Sequence, residues 1–101
     1  MGMGNLAKMA QQMQADMARV EQELQALQVE GTAGGGVVKA VVTGKQEVVS
    51  VTIDPGVVDP DDVEMLQDLV VAAVGDALGK ARAAAEGKMA RVTGGLRIPG
   101  L

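Results

Sequence analysis

One stretch, GTAGGGVVKAVVTGKQEVVSVTIDP from Gly31 to Pro55, limits the possible folds more than any other. Val37 to Thr43 and Glu47 to Ile53 are valine-rich runs bounded by turn residues, the pattern of a β-hairpin. In the second run Val49, Val51 and Ile53 alternate with Val48, Ser50 and Thr52, giving one apolar and one mixed face. In the first, Val38, Ala40 and Val42 share a face, opposite Val37, Lys39, Val41 and Thr43. That opposite face is too apolar to stand free in water, so cover by a helix or a second subunit is predicted. Thr43-Gly44-Lys45-Gln46 suits a tight turn with Gly44 at positive φ, or a slightly longer loop. Val29 to Thr32 can add a third strand across a bend at Gly34-Gly35-Gly36.

Glycines followed by lysine invite a phosphate-loop reading. Such a loop needs G-K-[ST] opening into a helix, so that backbone amides and the helix N-terminus hold phosphate. Here Gly34 to Gly36 opens into a valine strand, and Gly44-Lys45 is followed by Gln46. These glycines serve backbone geometry instead.

A helix is predicted on each side of the hairpin. Over about residues 5–28, Leu6, Met9, Ala10, Met13, Met17, Val20, Leu24 and Leu27 recur at helical spacing, in a stripe roughly 100° wide. Asn5 suits its N-cap and Gly31 its end. The methionines fit ordinary helix packing better than a promiscuous groove. A strict heptad register is disfavoured, because it puts Asp16 and Glu23 on the seam. After the Asp54-Pro55-Gly56 turn, Asp59-Pro60-Asp61-Asp62 reads as the start of a second helix over about residues 60–92. Its stripe is Val63, Leu66, Leu69, Val70, Ala73, Val74, Ala77, Ala81 and Ala84, then Met89 and Val92. Residues 93–101 form an extended tail, which Leu96 and Ile98 can dock.

Charge divides along this second helix. Asp59 to Asp76 carries six acids and no base, whereas Ala77 to Arg97 carries five bases and one acid. Dipole complementation explains part of this, and a basic distal arm the rest.

Composition narrows the chemistry. The 101 residues make one domain without Phe, Tyr or Trp, so the core buries little area and a two-fold dimer is the natural remedy. Without Cys or His there is no thiol nucleophile, imidazole base, or Cys or His metal ligand. Ser50, the single serine, sits mid-strand. The acids at 59, 61 and 62 suit a helix start better than a cation site, and no cofactor or metal is implied. The first residues lack a signal-peptide pattern, and no apolar run of about 20 residues is present to span a membrane. A net charge of −4 argues against coating nucleic acid by overall attraction, though not against a local basic patch.

Three blocks, GTAGGGVVKAVVTGKQEVVSVTIDP, MLQDLVVAAVGDAL and KMARVTGGLRIPGL, together resemble the YbaB/EbfC family of bacterial nucleoid-associated proteins, over essentially the whole chain. Gly75 stands where the family commonly has asparagine. The resemblance implies an α+β fold: a single α-β-β(-β)-α domain over residues 1–101 with its sheet over about residues 29–54, pairing into a tweezer-like homodimer. It also implies a protein of the cytoplasm and nucleoid that binds double-stranded DNA and serves chromosome organisation, with a link to repair or recombination. The family brings no catalytic motif, and no enzyme activity is expected. Lys80, Arg82, Lys88 and Arg91, with Lys8 and Arg19 on the first helix and Arg97 in the tail, are the expected phosphate contacts. Without aromatics there is no stacking on single-stranded bases. Weak sequence preference is expected, with Kd in the non-specific range of about 10⁻⁴–10⁻⁶ M. The other reading is a dimeric adaptor for replication or recombination proteins, using the Met-rich helix or the mixed sheet face.

Overall fold

The computed structural model describes residues 2–93, with side chains over residues 4–91. The elements are α1 (Gly2–Ala26), β1 (Gln28–Ala33), β2 (Val38–Thr43), β3 (Val48–Ile53), a 3₁₀ turn at Pro55–Val57 and α2 (Val63–Thr93). The three strands form one antiparallel sheet in the order β1-β2-β3. The α+β class and the third strand are as expected, and that strand is two residues longer than Val29 to Thr32.

Register decides the faces. Val29, Gly31 and Ala33 pair with Val42, Ala40 and Val38. On the other side, Val42, Ala40 and Val38 pair with Val48, Val51 and Ile53. Paired residues share a face, so these nine make one small, apolar surface. Val49 is the extra residue of a bulge opposite Val41 and Val42. Helix α2 lies across β1 and β2 on that surface and touches β3 only at its margin. Val38, Ala40 and Val42 pack there against Ala73, Ala77 and Ala81. Alanines allow a close approach, and Gly31 allows a closer one. A Cβ at Gly31 would stand 2.2 Å from the Ala77 amide nitrogen and 2.4 Å from the Ala73 carbonyl oxygen.

Several boundaries differ from the sequence reading. Gly31 does not end α1, which stops at Ala26; it lies mid-strand because the contact with α2 needs it. Asn5 is inside α1 and caps nothing. Helix α2 begins at Val63 rather than Pro60. Asp59 and Pro60 belong to a preceding turn, in which Asp59 Oδ1 accepts from the Asp61 amide. Asp62 is the cap, its Oδ1 accepting from the Met65 amide at 3.2 Å. Positive φ between β2 and β3 belongs to Gln46 (67°) and not to Gly44, because the connection is the longer loop. Gly44 instead donates to the Leu24 carbonyl at 2.9 Å and seats the end of α1. Gly34, Gly35 and Gly36 all have positive φ, as the β1–β2 bend requires.

Only the C-terminal half of the α1 stripe is packed. Val20 and Leu24 are buried, whereas Leu6 is 63% exposed and Met9 and Ala10 are also exposed. On α2, Val63 is exposed rather than part of the core. The proposed docking of Leu96 and Ile98 lies outside the described residues, as does Arg97.

The outer edge of β1 is closed by α2. Asp76 Oδ2 accepts from the Thr32 amide at 3.0 Å, and Lys80 Nζ donates to the Glu30 carbonyl at 3.3 Å. The two side chains also pair with each other at 3.2 Å. Groups that would otherwise invite an added strand are thus occupied. The Thr32 amide chiefly, then Lys80, holds the Asp76 carboxyl below the ordinary value of 3.8. A depressed carboxyl contributes stability that is fully present above pH 3.8 and is lost as pH falls through the lower folded value. Chemical denaturation should therefore find native chain more stable than Asp76→Asn at neutral pH, with the gap closing in acid. A gap that stays constant from pH 7 into that range would contradict the clamp.

Candidate nucleic-acid interface

The molecule is a rod, 72 × 28 × 16 Å. Its sheet sits beside the first two-thirds of α2, and the distal end of α2 lies beside the second half of α1. The segregated charges therefore point to different places. Asp62, Glu64 and Asp68 line one groove on the early turns of α2, with Met65, Leu69 and Ala72. The bases gather at the helical end.

There Arg19, Lys88 and Arg91 converge with Asp16, Glu23 and Val20 around a cleft of about 190 Å³. Lys88 Nζ bonds Glu23 Oε2 at 3.3 Å, joining the two helices. Arg19 Nη2 pairs with Asp16 Oδ1 at 3.2 Å. Arg91 lines the cleft with no ion pair among the described residues. Three cations against two carboxylates leave a small positive excess, in contrast to the acidic groove nearer the sheet.

The remaining expected contacts are dispersed. Lys80 is held at the β1 edge by Asp76 and the Glu30 carbonyl. Arg82 is exposed and stands about 180° round α2 from Arg91, nine residues on, so the two do not share a face. Lys8 is exposed on the half of α1 that extends past the packed stripe. Glu23 and Asp16, which line the cleft, were read from the sequence only as charges that break a heptad seam and not as site residues. The Asp16–Arg19 spacing of three was a readable signal, but Glu23 meets Lys88 across 65 positions, and no local pattern reveals that.

The family model described as YbaB/EbfC DNA-binding matches residues 1–96. This chain belongs to the YbaB/EbfC DNA-binding family. A nucleoid-associated protein of Moorella thermoacetica is 52% identical over 103 aligned positions, covering 99% of each chain. One from Desulforamulus reducens is 56% identical, covering 98% of this chain and 94% of the relative. Another, from Thermoanaerobacter pseudethanolicus, is 55% identical, covering 96% and 87%. The crystal structure of an uncharacterized protein of Helicobacter pylori has the same fold. Its TM-score is 0.69 at 21% identity, covering 95% of this chain and 97% of that one. The whole α-β-β-β-α arrangement is thus a YbaB/EbfC fold. No helix of the described residues is long and apolar enough to cross a membrane.

Proposed function

We propose that this YbaB/EbfC member is a nucleoid-associated protein that binds double-stranded DNA as a homodimer, without catalysis and with weak sequence preference. The observation that carries this reading is the cluster of Arg19, Lys88 and Arg91 at the helical end, away from the acidic groove. Those three are the principal phosphate contacts on each arm. Lys8 and Arg82 flank them, and Lys80 contributes less because its ammonium serves the sheet edge. Phosphate contacts from Lys and Arg give affinity without reading bases, which suits chromosome organisation in the cytoplasmic nucleoid. Repair, recombination or gene regulation is the setting in which such binding acts.

Dimerisation is supported by what α2 leaves uncovered. Val48, Val49 and Val51 on β3, with Val58 and Val63, are exposed large apolar side chains. Val71 is 71% exposed and sits about 140° round α2 from Asp76, on the flank away from the β1 edge. With β1 closed by Asp76 and Lys80, β3 is the edge open to a second copy. The pairing sets two basic arms outward as tweezers. Val51→Lys tests both halves of the reading. Light scattering should find a native dimer and a folded monomeric variant, and duplex binding should weaken with the loss of the second arm. A monomeric native protein would sink the homodimer, and undiminished binding by the monomer would sink the two-arm grip.

A second reading rests on the open half of α1. Leu6, Met9 and Ala10 are exposed there, beside a groove lined by Met13, Met17 and Ala18. An adaptor would use this stripe to hold a replication or recombination protein. Retention of such a partner after nuclease treatment favours it, and loss of all partners with the DNA excludes it.

A further inference from the structure

The ion pair that joins the two helices occupies a cation that DNA would need. Resting on the DNA-binding reading, we propose that the cleft between α1 and α2 is a phosphate seat. In the free protein the Glu23 carboxylate fills it, so DNA must displace an internal anion before Lys88 engages a phosphate.

The geometry gives Lys88 one side-chain partner, Glu23, at 3.3 Å. The lysine side chain is 24% exposed and the glutamate 46%. A carboxylate oxygen and a phosphodiester oxygen present the same acceptor to an ammonium group, each with about one negative charge. They therefore compete for it. Glu23 is free to leave, because it is half in water and no other hydrogen bond to its carboxylate is present among the described residues. Asp16 differs. It accepts from Gln12 Nε2 at 3.2 Å as well as from Arg19, so it stays and orients the arginine. Arg91 already faces the cleft without an ion pair among the described residues, and it supplies the initial attraction. A phosphate arriving there finds Lys88 and Arg19 on its other sides once Glu23 has swung out. The acid lowers affinity and favours DNA long enough to engage both arms of a dimer at once.

The test is an anisotropy titration of a fluorescein-labelled mixed-sequence duplex. It compares native protein with Glu23→Gln, Glu86→Gln, Lys88→Gln and the double variant Glu23→Gln/Lys88→Gln. Glu86 is exposed on α2 and lines no part of the cleft, so its variant removes one negative charge without opening the seat. Glu23→Gln should tighten binding by about fivefold per arm, the scale of an exposed ion pair. Glu86→Gln should tighten it far less. In the Lys88→Gln background the Glu23 effect should shrink to that of Glu86→Gln, because the two residues act as a pair. Circular dichroism alongside keeps loss of helix from being read as loss of binding. A Glu23→Gln no tighter than Glu86→Gln, with native protein binding normally, would overturn the gate alone. Tightening that persists without Lys88 would do the same, since it would be a bulk charge effect. Failure of every well-folded variant to bind duplex at all would overturn the DNA-binding reading beneath it.

Discussion

Gly31→Val is expected to abolish folding, and Gly31→Ala to cost at least about 3 kcal/mol, the top of the usual range for overpacking. The Cβ of either variant would meet backbone rather than a yielding side chain, at 2.2 Å from the Ala77 nitrogen. Relief needs α2 to lift from β1. That movement breaks the contacts of Ala73, Ala77 and Ala81 with Val38, Ala40 and Val42, which are most of the buried core. It also pulls Asp76 from the Thr32 amide and Lys80 from the Glu30 carbonyl. A chain without aromatic residues has little other buried area with which to compensate. Urea denaturation should find Gly31→Ala with a lowered midpoint, and circular dichroism should find Gly31→Val without a cooperative transition. A Gly31→Val chain that melts like the native one would mean that α2 does not rest on β1 in this way.

Charge reversal of Lys88 and Arg91 together is expected to remove duplex binding while the fold and the dimer persist. Each dimer would lose four positive charges and gain four negative ones at the arm ends, so affinity should drop by at least about a hundredfold at moderate salt. The core between sheet and α2 is untouched, since both residues lie beyond Ala81, the last buried alanine, and only the Lys88–Glu23 link to α1 is lost. Lys88→Glu does set a second acid against Glu23. The neutral pair Lys88→Gln/Arg91→Gln therefore accompanies it and should lose most of the affinity without that repulsion. Light scattering and anisotropy on the same samples separate the effects. Native-like binding by both variants would move the interface away from the cleft.

Much of this was legible in the chain. The alternation of Val38, Ala40 and Val42 gave the buried strand face, and the period of Leu66, Ala73, Ala77 and Ala81 gave the face of α2 that covers it. The strand β1 was harder, because QVEGTA holds few strong β-formers. It is a strand through its pairing with β2 and the seat that Gly31 provides for α2. Helix ends were the weakest part. Asn5, Gly31 and Asp59 each have the chemistry of a boundary, but tertiary packing and a turn used two of them elsewhere, and α1 runs past the third. The candidate interface divides in the same way. The excess of bases after Ala77 is a linear pattern and was plain. That Lys80 is tied to the β1 edge, that Arg82 faces away from Arg91, and that Glu23 answers Lys88 are facts of three-dimensional placement. Residues far apart in the chain carry no periodic signal of their meeting.

If basic side chains at the helical end contact DNA phosphates, duplex binding must weaken steeply as salt rises. Three contacts on each of two arms predict a slope of log affinity against log salt of about −5, between about 50 and 200 mM. That steep fall, from protein shown to be dimeric at the same concentration, is the expected result. A well-folded dimer that ignores duplex DNA at the lower salt, or binds it with a slope near zero, would contradict the claim and leave the adaptor reading in its place.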